Sequence, residues 1–205
     1  MVLIKYNAGN IQSVSFALER LGVDFTISDD PETITKADKV IFPGVGEAST
    51  TMAYLRDRKL DQVIKNLKQP VLGICLGMQL MCRHSEENDT ECLGIFDQPV
   101  KRFVPKADFK VPHMGWNTVE APSDSVLFEG LGDQRFYFVH SYAAASLDLA
   151  DAGTAAVRPP LLTWTEYGAR FLSAVENGPL KATQFHPEKS GAAGVQLLRN
   201  WLATL

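Results

Sequence analysis

The chain has 205 residues, 45 % of them hydrophobic and 21 % charged, with a formal net charge of −4. That is enough for one compact domain with a full core, and a single domain over residues 1–205 is expected. The weak negative charge, with Lys and Arg scattered, gives no electrostatic ground for partnering nucleic acid or an anionic membrane.

Residues 2–6 read as a short buried strand. Asn10 is placed to cap a helix in which Ile11, Val14, Leu18 and Leu21 recur at helical spacing, with Gly22 as its stop. Residues 23–27 and 39–42 are the next strands, the second halted by Pro43-Gly44-Val45-Gly46. Helical periodicity returns over 50–67, with a break near Arg58; residues 70–74 form a fourth strand and 77–84 a helix. Strands that are apolar throughout and alternate with helices predict a parallel sheet covered on both faces. The second half changes to short strand-like runs: "LGIF", "PVKRF", "NTVEA", "RFYFVHSYA", "LLTWTEYG", "RFLSAVENG" and "KATQF". Val195, Leu198, Trp201 and Leu202 then share one face of a terminal helix. The expected fold class is α/β, a mostly parallel central sheet flanked by helices with an antiparallel β extension.

No secretory leader is legible in "MVLIKYNAGN", and the most apolar window, 71–82, is too short to span a bilayer. Cys75, Cys82 and Cys92 lack zinc-type spacing, so free thiols in a reducing, cytoplasmic setting are expected, with no metal and no cofactor. Cys82 and Cys92 read as small buried hydrophobes.

Cys75 differs, because Gly73 and Gly77 flank it between an apolar strand and a helix. A nucleophile on a strained strand-to-helix turn needs small neighbours, and the helix start favours a thiolate. A structural turn with a packed cysteine would look the same in isolation. The backbone N–H of Leu76 is the expected oxyanion donor, and that of Val45, in the glycine loop, its opposite number. His186 and Glu188 supply base and orienting carboxylate, since residues two apart in extended chain point to one side and Pro187 stiffens the link.

"PGVG", "GICLGMQL" and "FHPEKS", in that order, resemble the class I glutamine amidotransferases. That resemblance implies a triad of Cys75 as nucleophile, His186 as base and acid, and Glu188 as orienting group. "PHMGWN", "YFVHSYA" and "YNAGNIQSV" narrow it to the branch that serves as glutaminase subunit of imidazole glycerol phosphate synthases in histidine biosynthesis. The branch implies L-glutamine as substrate, a heterodimer with a (β/α)8-barrel cyclase that uses the ammonia, and substrate contacts from Gly46, Gln79, Glu87, Ser141 and Tyr142. Glu87 also fits a solvated acidic run. His113, Met114, Trp116 and Asn117 are assigned to the partner interface, although Met114 and Trp116 would also suit a core; His113 and His140 are expected to be structural rather than catalytic. Lys5 and Asn7, Cys92 and Ala143 depart from the branch's common pattern without touching the triad. Competing readings are a glutaminase for another synthase such as anthranilate synthase, a cysteine peptidase, and a binding subunit without chemistry.

Overall fold

The computed structural model describes residues 1–7, 10–106, 109–145 and 159–204. Strand and helix alternate in the first half: β1 (Val2–Ile4), α1 (Ile11–Arg20), β2 (Thr26–Ser28), α2 (Pro31–Lys36), β3 (Val40–Phe42), α3 (Ala48–Asp57), α4 (Leu60–Lys65), β4 (Val71–Ile74) and α5 (Leu76–Met81). Strands dominate the second: β5 (His84–Ser85), β6 (Thr90–Glu91), β7 (Pro99–Arg102), β8 (His113–Thr118), β9 (Arg135–His140), β10 (Tyr142–Ala144), β11 (Leu161–Glu166), β12 (Arg170–Asn177) and β13 (Leu180–Thr183). A 3-10 turn at Pro187–Lys189 and helix α6 (Gly191–Leu202) follow.

The main sheet has the order β11-β12-β13-β4-β3-β1-β2. Strands β13, β4, β3, β1 and β2 run parallel, and β12 and β11 extend one edge antiparallel. This is the mixed α/β sheet expected from the apolar strands. Successive strand residues point to opposite faces, and each face has its own core. Val2, Ile4, Val40, Phe42 and Val71 pack with Met52, Leu55 and Ile64 of α3 and α4. Leu3, Ile41, Leu72 and Ile74 pack with Val14 and Leu18 of α1 and Leu197 and Trp201 of α6.

Local chemistry explains where the elements differ from expectation. Helix α2 carries one buried apolar residue, Ile34, so no periodicity announces it; Asp30 starts it by accepting from the Thr33 N–H at 2.7 Å, with Pro31 following. The long helical stretch does break after Arg58, at Lys59 with φ 57°. "LGIF" is not a strand. The N–H groups of Leu93, Gly94 and Ile95 instead donate to the carbonyls of Leu80, Cys82 and Met81, satisfying the end of α5. "NTVEA" yields its first two residues to β8, which begins earlier, at His113.

Strands β3, β4 and β13 are neighbours, with Phe42 opposite Gly73 and Ile74 opposite Thr183. The Pro43–Gly46 loop, Cys75 and His186 therefore all leave the sheet at one carboxyl edge, where open α/β sheets place their ligands. Among the described residues no helix is long and apolar enough to cross a membrane.

Candidate active site

Cys75 joins β4 to α5 with φ 51° and ψ −107°, a conformation that L-residues rarely adopt. Its N–H donates to the Thr183 carbonyl at 2.7 Å, and the residue is 6 % exposed. The flanking glycines are required by close approach. A Cβ on Gly77 would overlap the Phe42 carbonyl oxygen, and one on Gly73 would lie 2.7 Å from Met81 Sδ. The turn is thus wedged against the end of β3.

His186 follows β13, and its backbone is held twice: its N–H donates to the Tyr137 carbonyl at 2.9 Å and its carbonyl accepts from Ser190 Oγ at 2.7 Å. Nδ1 lies 2.7 Å from Glu188 Oε1, both side chains being wholly buried. Burial works against the imidazolium, but the nearby Cys75 sulfur and the Glu188 carboxylate outweigh it and hold the pKa well above the ordinary imidazole range. Nε2 makes no hydrogen bond of ordinary geometry among the described residues, although the sulfur acts on the ring. The structure therefore brings the three residues of the expected triad together.

A cavity of about 290 Å³ opens beside the sulfur. Val45, Gly46, Leu76, Gln79, Glu87, Ser141 and Tyr142 all line it, together with Cys75. Glu87 is half-buried, with Oε2 accepting from the Ala48 N–H at 2.8 Å. Burial raises its pKa against the pull of that bond. Glu47 caps α3 and also accepts from Asn88 at 2.6 Å, which pins the turn carrying Glu87 to the loop after β3. Gln79 gives its Nε2 hydrogens to Tyr142 O at 2.8 Å and Gln184 Oε1 at 3.0 Å.

The expected oxyanion donors are not both free. The Leu76 N–H donates to the Gly44 carbonyl at 3.3 Å. Tyr6, buried beneath the loop, donates its hydroxyl to the Pro43 carbonyl. Of the residues assigned to a partner face, Met114 and Trp116 are 63 % and 51 % exposed, whereas His113 is 3 % exposed and Asn117 bonds the Glu166 carbonyl through Nδ2 at 2.9 Å. The alternation of β8 turns Met114 and Trp116 outward and His113 inward. His84 does not close a helix but sits in β5, with Nε2 2.8 Å from Asp89 Oδ1. Cys82 and Cys92 are buried free thiols, and burial pushes both pKa values up, that of Cys92 to about 12. No group of three or more metal-type ligands occurs among the described residues.

Two polar residues belong to this site although sequence reasoning did not place them there. Asn10 makes no side-chain cap to α1; its Nδ2 donates to Glu188 Oε1 at 2.7 Å. Gln184, wholly buried, directs Nε2 at Cys75 Sγ from 3.6 Å. Gln184 stands two residues before His186, where the chain bends just past the end of β13, so nearness to His186 in sequence was the available signal. Asn10 carried none, since an asparagine before a helix reads first as a cap.

A cysteine on a strand-to-helix elbow, faced by a His–Glu pair on a parallel sheet, defines a cysteine-nucleophile site for acyl transfer. A model of the family "Glutamine amidotransferase class-I" matches residues 2–205, and the chain belongs to that family. Solved structures agree on the fold: a "glutamine amidotransferase" aligns at TM-score 0.72 and 20 % identity over 98 % of this chain and 96 % of that one. A "putative gmp synthase subunit a protein" from Thermoplasma acidophilum aligns at TM-score 0.70 and 21 % identity, over 98 % and 91 %. The particular branch is that of the imidazole glycerol phosphate synthase subunit HisH. The Bacteroides thetaiotaomicron protein of that name is 54 % identical over 98 % of both chains. That of Thermobifida fusca is 48 % identical over 100 % of this chain and 98 % of its own.

Proposed function

We propose that the chain is the glutaminase subunit of an imidazole glycerol phosphate synthase, acting as one domain in the cytoplasm and passing ammonia to a (β/α)8-barrel cyclase in histidine biosynthesis. The convergence of Cys75, His186 and Glu188, with Cys75 at the wall of the cavity, carries the chemistry. Full-length likeness to the HisH subunits supports the branch over an anthranilate-synthase-type glutaminase.

His186 takes the thiol proton of Cys75, and the thiolate attacks the side-chain amide carbon of glutamine. Glu188 orients the ring and favours its cationic form. The imidazolium protonates the departing ammonia, and a water deprotonated by the same ring hydrolyses the glutamyl thioester to glutamate. Glu87, half-buried at the cavity wall, suits the substrate α-ammonium, and Gly46 and the Ser141–Tyr142 backbone suit its carboxylate.

Leu76 and Val45 N–H are proposed to hold the oxyanion. The first is occupied by the Gly44 carbonyl at 3.3 Å, so the free chain rests with the hole closed. A trans peptide carries C=O and N–H on opposite sides of one plane. Turning the Gly44–Val45 peptide would release Leu76 and swing the Val45 N–H toward the cavity in one motion. Docking of the barrel on the exposed Met114 and Trp116 is the proposed trigger.

The test is glutamate formation by the chain with and without the barrel and the barrel's nucleotide ligand. Strong stimulation is expected, and equal rates would refute it. Cys75→Ala should abolish glutamine-dependent synthesis by the complex and leave synthesis from ammonium salts intact.

A further inference from the structure

Gln184 is wholly buried with Nε2 3.6 Å from Cys75 Sγ. The two ends of a glutamine amide have nearly the same shape, so its neighbours decide which one faces the sulfur. The Tyr142 backbone carbonyl can only accept, so Gln79 must turn its NH2 toward it, at 2.8 Å. The second hydrogen of that NH2 goes to Gln184 Oε1 at 3.0 Å, and Gln184 is left to present its own NH2 to the sulfur. The reversed amide would set two donors against each other and aim an oxygen at the thiolate.

The same carbonyl is gripped from its other side. His140 Nδ1 lies 2.8 Å from Tyr142 O and must carry the proton of that bond. A neutral His140 then has only Nε2 as acceptor, and His113 Nδ1 meets it at 3.2 Å. Burial lowers the pKa of both imidazoles, to about 4 for His113 and about 3 for His140. Neutrality is what the arrangement needs, because a protonated His140 could accept nothing from His113. His113 begins β8, whose next outward residues are the exposed Met114 and Trp116.

We propose that Gln184 is a further catalytic residue, a fixed N–H donor to the Cys75 sulfur, aimed by an unbroken hydrogen-bond relay through Gln79, the Tyr142 carbonyl, His140 and His113 that ends on the partner-facing strand. When the Sγ–H bond breaks and the proton passes to His186 Nε2, the electron pair left on sulfur accepts the Gln184 N–H. The relay rests on Cys75 being the nucleophile; His140 and His113 are positioning residues, because they act only through Gln79 and Gln184.

The test is alkylation of the full chain by iodoacetamide at pH 7, followed by intact mass, with Cys75→Ala as blank; the buried, high-pKa Cys82 and Cys92 react slowly. Gln184→Met keeps length and removes the donor, and should slow alkylation about tenfold, the worth of one hydrogen bond to a charged group. His140→Leu and His113→Phe should slow it about threefold, as expected for indirect coupling. His140→Asn, which keeps a donor near the Nδ1 position, should restore the rate. Urea-unfolding midpoints of these variants close to that of the parent chain separate the effect from misfolding. Gln184→Met reacting within about twofold of the parent would overturn the proposal. Should that variant not fold, two-bond 15N–1H spectra of the parent chain decide. Protons on Nδ1 of both histidines support the relay, and a proton on Nε2 of His140 overturns it. A chain that shows these alkylation effects yet never hydrolyses glutamine with the barrel would refute the proposed function and leave the Gln184 assignment standing.

Discussion

Replacing Asn10 by glycine removes one hydrogen bond from Glu188 and little else. Asn10 has φ 74°, a left-handed conformation that glycine adopts freely and alanine does not, so Asn10→Gly avoids the backbone strain that Asn10→Ala would add. Glu188 Oε1 receives Asn10 Nδ2 and His186 Nδ1, each at 2.7 Å, and its side chain has no exposure to water. Oε2 has no partner among the described residues, so little else holds the carboxylate. A hydrogen bond to a charged group contributes about 1.5–3 kcal/mol. Asn10 is only partly buried and water can replace some of it, which favours the lower end, or about tenfold in kcat/KM for glutamine. The assay is steady-state glutamate formation by the complex with the barrel, alongside urea unfolding of the free chain. Asn10→Asp gives a sharper signature. The introduced carboxyl can donate to Glu188 only when protonated, so its activity relative to the parent should rise as pH falls. Asn10→Gly at parental kcat/KM with parental stability would show that Glu188 needs no second anchor, and the reasoning would fail.

Three further outcomes follow from the packing and charge. Gly77→Ala drives a Cβ into the Phe42 carbonyl and should lose about 3 kcal/mol or more of stability by urea unfolding, whereas Gly73→Ala, which chiefly meets the movable Met81 Sδ, should lose about 1 kcal/mol. His113 and His140 are held neutral with folded pKa values of about 4 and about 3, below the ordinary value of 6.5. Their contribution is complete above pH 6.5 and is lost as pH falls toward those folded values, because the unfolded chain takes up the protons first. Each loses about 2 kcal/mol by pH 5, so the pH 7 to 5 drop measured by urea unfolding should shrink by about that amount in His113→Phe. Met114→Ala with Trp116→Ala removes two exposed side chains, so the unfolding midpoint should stay within about 0.5 kcal/mol of the parent while barrel affinity falls about tenfold or more by titration calorimetry.

The sheet and the elbow were legible because they depend on local pattern. Val2–Ile4, Val40–Phe42 and Val71–Ile74 are apolar on both faces, and only a strand covered twice tolerates that. Gly73 and Gly77 announce the crowding at Cys75; His-Pro-Glu announces the pair, but the chain expected to be extended there is a 3-10 turn at Pro187–Lys189, and it is this turn that brings Glu188 back to the imidazole. Helix α2 was silent because one capping aspartate and one buried isoleucine make no period.

What the linear chain determined by itself was the set of reactive groups and the scaffold that carries them, since spacing and apolar runs are properties of neighbours. Only the folded chain decided how those groups are wired. Asn10 meets Glu188 across 178 positions, Gln184 meets Cys75 across 109, and Leu76 finds its N–H engaged by Gly44. Hydrogen-bond partners so far apart are chosen by sheet order and side-chain direction, which no local pattern encodes, and that is why the direction of each donor at the sulfur appears only in three dimensions.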